Sequence, residues 1–194
     1  MSDRELVAHC RRGDSSAFDE IVNRYNKRLY NVVLRYVGNR EDALDLCQEA
    51  LMRAYRSLDT YRGDAQVYTW LYSIAVNLAR NKLRDGARKG RNKGTSLDAL
   101  QENAPAAASA ATASARNPGT EAMEHEMEQA LQECLDELPE HYRLPFVLRT
   151  FDDLAYDEIA KVMECPAGTV KSRLSQARKL LRERLRERAI LGTE

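Results

Sequence analysis

Two stretches of this chain carry residue types able to read nucleic acid, in two different ways. The first is Tyr61 to Arg84. Its loop, Tyr61-Arg62-Gly63-Asp64-Ala65-Gln66, sets an aromatic ring and a guanidinium around a Gly-Asp turn. Val67 opens a helical pattern in which Tyr68, Trp70 and Tyr72 cluster at the start. Thr69, Ser73, Asn77, Asn81 and Arg84 then form a polar stripe, with Arg80 beside it. Aromatics stack on bases, amides and hydroxyls bond base edges, and cationic groups hold phosphates, which is what a single strand needs. Tyr68 and Trp70 have a second reading, as core aromatics that hold the loop. An exposed Trp is unusual, so Trp70 is expected in that role. A basic tail follows: Lys82, Arg84, Arg88, Lys89, Arg91 and Lys93.

The second stretch runs from Asp153 to Arg188. A short apolar helix (Tyr156, Ile159, Ala160, Met163) is followed by the turn Glu164-Cys165-Pro166-Ala167 and a longer basic helix. That is a helix-turn-helix pattern, whose second helix enters the major groove of duplex DNA. Val170, Leu174, Ala177 and Leu181 face inward. Lys171, Ser175, Arg178 and Arg182 form one outward stripe, and Ser172, Gln176 and Lys179 its neighbour. The early positions are expected to reach bases, and Arg178 and Lys179 to hold phosphates, with Arg173 able to do either. Pro166 suits a first-turn position, and Thr169 lies near the helix N-terminus, where backbone N–H groups favour phosphate. The mixed-sign run from Arg182 to Arg188 reads as a solvated tail.

A third feature is acidic. Glu41, Asp45 and Glu49 recur at intervals of four on a helical pattern, where like charges cost a few tenths of a kcal/mol per pair. The stripe is either a solvated face, partly relieved by Glu49 to Arg53, or a docking surface for a basic partner. No nucleophile, general-base pair or nucleotide loop is visible, so the chain reads as a binder and not an enzyme. Cys10, Cys47, Cys134 and Cys165 are too scattered for a metal or disulfide framework and read as small buried hydrophobes; no cofactor or metal is expected.

The elements that must position these residues are all helical. Leu6, Val7 and Cys10 mark a short helix stopped at Gly13-Asp14. Asp14 or Ser15 caps a second to about Val37, buried on Phe18, Ile21, Val22, Tyr25, Leu29, Val32, Val33 and Tyr36. Asn39 caps a third, with Ala43, Leu46, Cys47, Ala50, Leu51, Ala54 and Leu58 apolar. The fourth spans Val67 to Arg84. Periodicity then stops between Asn92 and Thr120, an Ala/Ser-rich stretch bracketed by prolines that reads as a flexible linker. Thr120 caps a fifth helix to about Leu138, with Met123, Met127, Ala130, Leu131, Cys134, Leu135 and Leu138 apolar. Pro139 opens a sixth, which Pro145 should kink or shift.

The predicted fold class is therefore all-α: two small helical domains joined by a flexible linker, the C-terminal one a helix-turn-helix. The domains are residues 1–91 and 121–194, with the linker at 92–120. The 194 residues sum to zero net charge, but segments 1–91, 92–120, 121–165 and 166–194 carry +5, 0, −10 and +5. Two basic segments around an acidic one suggest two nucleic-acid surfaces. No apolar run reaches the roughly 18 residues of a membrane span, and the charged N-terminus is unlike a signal peptide, so a cytoplasmic protein with no membrane insertion of its own is expected.

Residues 41–84 and 138–181, in this order and separated by a variable linker, resemble the extracytoplasmic-function sigma factors of bacterial RNA polymerase, most closely the envelope-stress branch. The resemblance implies roles residue by residue. Asp45, Gln48, Glu49 and Arg53 match the family's docking surface for the clamp coiled coil of core polymerase, the flap being the second polymerase contact. Tyr61 through Tyr68, with Ser73, Asn77, Arg80, Asn81 and Arg84, match the part that captures the melted minus-10 strand. A flipped base would sit in the loop, with Asn77 near its edge. Thr169, Lys171, Ser172, Arg173, Ser175, Gln176, Arg178 and Lys179 match the minus-35 reader. Regulation by an anti-sigma partner is implied as well.

This chain departs from the family pattern at Ala155, at Ser175-Gln176 and in its unusually alanine-rich linker. Ala155 stands where a Ser or Thr cap is usual, at a cost of about 1 kcal/mol that Asp157 partly offsets. Ser175-Gln176 replaces a bulky or basic pair, and Gln pairs with adenine where Arg prefers guanine. Two rival readings are a stand-alone helix-turn-helix regulator, which the Tyr61–Arg84 stretch argues against, and an enzyme or adaptor on the N-terminal domain, which the lack of clustered titratable residues argues against.

Overall fold

The computed structural model describes residues 1–92 and 118–188, with side chains over 1–86 and 126–188. Its regular elements are helices: α1 (Asp3–Arg11), α2 (Ser15–Val37), α3 (Arg40–Arg56), a 3-10 turn (Leu58–Thr60), α4 (Val67–Asn92), α5 (Pro118–Asp136), α6 (Glu140–Phe151), α7 (Tyr156–Met163) and α8 (Ala167–Glu187). The all-helical, two-domain architecture is as expected from periodicity.

Local chemistry sets the boundaries. Ser2 and Glu5 form a reciprocal capping box on α1. Asp14 caps α2 by accepting from the Ser16 N–H at 3.1 Å, so of the two candidate caps it is Asp14 that serves. Asn39 caps α3 through the Asp42 N–H at 3.0 Å. Gly38 closes α2 in the left-handed region (φ 76°), and a Cβ there would lie 2.8 Å from a carboxylate oxygen of Asp136 on α5. The glycine thus serves both the cap and a close approach of the two domains.

Several boundaries differ from expectation. α4 runs eight residues past Arg84, to Asn92. α5 starts at Pro118, so Thr120 lies in its first turn and is not its cap; Pro suits a first turn because its missing N–H is not needed there. α6 stays continuous through Pro145, which is buried, and Pro139 is its N-cap. Pro166 is likewise the N-cap of α8 and not its first residue. The linker expected at 92–120 lies, apart from its ends, outside the described residues, as do the side chains of Arg88, Lys89, Arg91, Lys93 and Met123. Met127, expected on the apolar stripe of α5, is exposed.

The buried side chains form two clusters. The first joins α1, the start of α2, the end of α3 and the start of α4: Leu6, Val7, Ala17, Phe18, Ile21, Ala54, Leu58, Val67 and Leu71. The second belongs to both domains. Val32, Val33 and Tyr36 of α2 and Tyr72, Ala75 and Val76 of α4 are continuous with Leu135, Leu144, Val147, Leu148, Ile159, Val170 and Leu174 of the second domain. The domains therefore do not stand apart: α2 packs against α5 and α6, and α4 against α7.

Candidate nucleic-acid interface

The loop before α4 is tied down from α1. The Arg11 guanidinium donates to the Leu58 carbonyl at 3.0 and 3.2 Å and also to the Tyr61 carbonyl. Gly63 takes a left-handed turn (φ 79°), and the Tyr61 hydroxyl closes the loop on the Ala65 carbonyl. The Tyr61 ring packs on Trp70 at 5.0 Å between centroids. Trp70 is half-buried and holds the loop, as expected of it.

The fold makes a cavity of about 400 Å³ from this loop and the first turns of α4, lined by Thr60, Tyr61, Arg62, Gly63, Asp64, Ala65, Thr69, Trp70 and Ser73. Thr69, placed on the polar stripe by its spacing, is buried, and its hydroxyl has no hydrogen-bond partner among the described residues. A buried unpaired hydroxyl costs about 1–3 kcal/mol, so this wall is suited to a ligand that completes the bond. Ser73 spends its hydroxyl on the Thr69 carbonyl at 3.0 Å. Further along α4, Asn77, Asn81 and Arg84 are exposed, with Arg84 donating to Asn81 at 3.0 Å. Gln66 is exposed and Val67 is buried beneath the loop.

A tenth lining residue was not anticipated. Lys161, on α7 of the other domain, lines the cavity and donates to the Asp64 carbonyl at 3.0 Å. The second domain also meets two of the residues expected at the strand site directly. Arg80 donates to Glu140 at 3.1 Å, and the Tyr68 hydroxyl donates to Glu158. Burial first, and then the bond to Glu158, raise the Tyr68 phenol to about 12. Glu140, Glu158 and Lys161 lie sixty to a hundred residues away along the chain. The sequence signal that bears on them is coarse: the −10 of the acidic segment beside the +5 of the first domain.

On α8 the predicted inward residues Val170, Leu174, Ala177 and Leu181 are all buried. Lys171, Ser172, Ser175, Gln176, Arg178 and Lys179 are exposed, so one helix face presents them together. Thr169 is half-buried, its carbonyl accepting from the Ser172 hydroxyl at 2.9 Å. Arg173 is half-buried and leans toward the Cys165 sulfur at 4.0 Å. The turn before α8 is made by Glu164 in the left-handed region (φ 53°) and a Cys165 N–H bond to the Ala160 carbonyl at 3.0 Å. The tail is not simply solvated. Arg184 pairs with Glu137, and Arg188 pairs with Glu133 at 2.9 Å and Glu137 at 2.6 Å, stapling the end of α8 to α5. Glu158, and not Asp157, relieves the missing cap at Ala155, by accepting its N–H at 2.9 Å.

On α3, Asp45 and Gln48 are exposed, and Glu49 pairs with Arg53 at 2.6 Å. Beside them Leu44, Met52 and Tyr55 are 52%, 42% and 49% exposed. Sequence reasoning missed these three, although Leu44 and Met52 fall off the buried stripe. Acidic groups around exposed apolar side chains make a better partner surface than a merely solvated face. Cys47 and Cys134 are buried, with burial raising the Cys47 thiol to about 12, whereas Cys10 and Cys165 are half-buried; all four are free thiols.

Comparison with known proteins agrees with this arrangement. Residues 21–89 match the Sigma-70 region 2 family and residues 128–181 the Sigma-70 region 4 family. The chain is 37% identical over 179 residues to the RNA polymerase sigma-H factor of Pseudomonas aeruginosa, covering 92% of this chain and 91% of that one. It is 38% identical over 181 residues to the ECF RNA polymerase sigma-E factor of Escherichia coli K12, covering 93% of each. Among solved structures, its fold resembles CnrH in complex with the cytosolic domain of CnrY (TM-score 0.69, 21% identity, 96% of this chain and 99% of that one). It also resembles the Bartonella quintana sigma factor RpoE in complex with the anti-sigma factor NepR (TM-score 0.67, 22% identity, 87% and 96%). With both sigma regions present in order and relatives matched nearly end to end, this chain belongs to the extracytoplasmic-function family of RNA polymerase sigma factors.

Proposed function

We propose that the chain binds core RNA polymerase and directs promoter-specific initiation by reading the minus-35 duplex with α8 and capturing the minus-10 strand with the loop and α4. The observation that carries this is the pair of unlike reading surfaces on one chain. One is an open pocket with an aromatic wall and an unpaired buried hydroxyl, suited to an extruded base. The other is a convex exposed helix face, suited to a groove. A stand-alone duplex regulator needs no such cavity.

The residue roles follow from exposure. Tyr61 and the backbone from Arg62 to Gln66 frame a base, Asn77 meets its edge, and Arg80, Asn81 and Arg84 follow the strand. Lys171, Ser175 and Gln176 face bases in the major groove, with Arg178 and Lys179 on phosphates. Asp45, Gln48, Glu49 and Arg53, with Leu44, Met52 and Tyr55, form the polymerase face for the clamp, and the second domain meets the flap. We assign residues 1–91 and 121–194 as the two working units joined by 92–120. The chain acts by binding and carries no catalysis of its own. None of the described helices is long and apolar enough to cross a membrane, and a cytoplasmic site of action suits its partners. An anti-sigma protein is its expected regulator, since a sigma factor of this fold is seen with such a partner. Run-off transcription with purified core polymerase tests the proposal. Promoter-specific starts that depend on the chain are expected, and their absence overturns it.

A further inference from the structure

We propose that α1 belongs to the strand reader: Arg11, its last residue, is the positioning residue that holds the Tyr61–Gln66 loop in the shape that receives a base. This rests on the strand-capture reading of the loop and deepens it, by placing a determinant of minus-10 base choice fifty residues before Tyr61. The Arg11 Nε and Nη2 groups donate to the Leu58 carbonyl at 3.2 and 3.0 Å, and Nη2 donates to the Tyr61 carbonyl as well. One planar fork therefore bridges the start of the 3-10 turn and the start of the loop. Both partners are backbone carbonyls, so the contact fixes the path of the chain and does not merely neutralise a charge.

α1 is placed firmly enough to act in this way. Leu6 and Val7 are buried in one cluster with Leu58, Val67 and Leu71, which flank the loop on both sides. Arg11 stands one turn after Val7 on the same face, so its side chain reaches out over that cluster. Gly13, in the left-handed region at φ 92°, and the Asp14 cap end the helix just beyond it. Tyr61 is then held by its carbonyl on Arg11, by its ring on Trp70 at 5.0 Å and by its hydroxyl on the Ala65 carbonyl. Tyr61, Ala65 and Trp70 all line the pocket, so a shift at the Tyr61 carbonyl moves the aromatic wall. A loop ordered before the strand arrives removes the ordering cost from binding. It also penalises a base that fits poorly, whereas a loose loop adapts to each base and discriminates less.

The test uses holoenzyme assembled from core polymerase and the full chain, with Arg11→Ala, Arg11→Lys and, as a charge control, Arg12→Ala at the exposed C-cap of α1. Competition among single-stranded minus-10 oligonucleotides reads affinity for each base at the flipped position. Acrylamide quenching of Trp70, the one tryptophan, reads the pocket wall in the chain alone. Arg11→Ala is expected to weaken the preferred strand about tenfold, the worth of a charge-assisted bond. It is also expected to bring the ratio between preferred and other bases toward one and to raise Trp70 quenching, with helicity and core polymerase binding unchanged. Arg11→Lys keeps the charge but not the fork, so it is expected to recover only part of the discrimination. Arg12→Ala is expected to match the wild type. Full recovery by lysine, or an equal loss in Arg12→Ala, overturns the proposal, because charge beside the strand would then be the whole effect. A loss that is the same for every base, or unchanged Trp70 quenching, overturns it too. Should Arg11→Ala lose helicity, Arg11→Lys carries the same test alone. A wild-type holoenzyme that does not distinguish bases in the strand would instead sink the strand-capture reading. The quenching comparison needs no DNA and reads the Arg11 tie separately.

Discussion

α4 and α8 are both long helices with one buried stripe and one polar stripe, yet the two polar stripes meet the rest of the molecule in opposite ways. On α8 the residues from Lys171 to Lys179 that a duplex would meet are mostly exposed, and the pairs that hold the helix, Arg184 and Arg188 on Glu133 and Glu137, sit at its far end. On α4 the reading face is shared with the other domain through Tyr68, Arg80 and the cavity-lining Lys161. The proposed duplex reader stands exposed, whereas the proposed strand reader is in contact with the other domain. Periodicity tells which stripe a helix buries against its own domain. It does not tell whether the other stripe is later covered by a second domain.

The largest effect should come from the core that joins the two readers. Leu135 on α5 is fully buried in the cluster that spans both domains. Leu135→Ala is expected to cost about 2–5 kcal/mol. Trp70, the one tryptophan, reports on the first domain from the cavity wall. If the shared cluster couples the domains, the Trp70 fluorescence transition moves down together with the far-ultraviolet circular dichroism. A Trp70 transition that stays put while helicity is lost earlier would show two independent units, and the contrast between the readers would lose its structural basis.

The next effect sits on the open reader. Gln176 is exposed on the polar face of α8. Gln176→Ala should reduce discrimination at one minus-35 base by roughly 1–3 kcal/mol. Competition binding across single-base promoter variants checks this. Equal losses on all sequences would move Gln176 from base reading to phosphate holding. A smaller change is expected on the strand reader. Asn77→Ala removes one edge contact, worth about 0.5–1.5 kcal/mol. Permanganate footprinting should show slower strand opening with polymerase binding unchanged, and unaltered opening would take Asn77 out of the strand path.

The buried faces of the helices, the caps at Asp14 and Asn39, and the exposed polar positions of α8 were all legible from spacing and residue type, because each depends on neighbours within about four residues. The loop was legible in composition but not in construction. Nothing local to Tyr61–Gln66 announces that Arg11 would tie it down, or that Thr69, one turn into a polar stripe, would turn inward and leave its hydroxyl unpaired. The domain contact was the least legible. Tyr36 and Tyr72 are apolar in pattern and place themselves in the core, but their hydroxyls need acceptors, and those are Glu140 and Asp152, 104 and 80 residues on. The burial and the accepted bonds together push both phenols far above their ordinary range. Leu44, Met52 and Tyr55 are the opposite lesson, since apolar residues off the stripe remained outside, where a partner can use them.

The smallest effect falls on the residue that belongs to both comparisons. Glu158 divides its carboxylate, one oxygen taking the Ala155 N–H and the other the Tyr68 hydroxyl. It therefore supplies half of a capping box to α7 while holding the first domain, and Ala155 leaves the other half empty. Ala155→Ser would add a hydroxyl able to accept from the Glu158 N–H, stabilising the protein by about 0.5–1 kcal/mol in chemical denaturation. The added bond uses the backbone of Glu158 and not its carboxylate, so the Tyr68 contact should persist. In Ala155→Ser combined with Glu158→Gln, stability should return near the wild-type value. If the serine instead added nothing beside Glu158→Gln, the order of α7 would depend on the Tyr68 contact and not on its cap, and the difference between the two readers would lie in that contact.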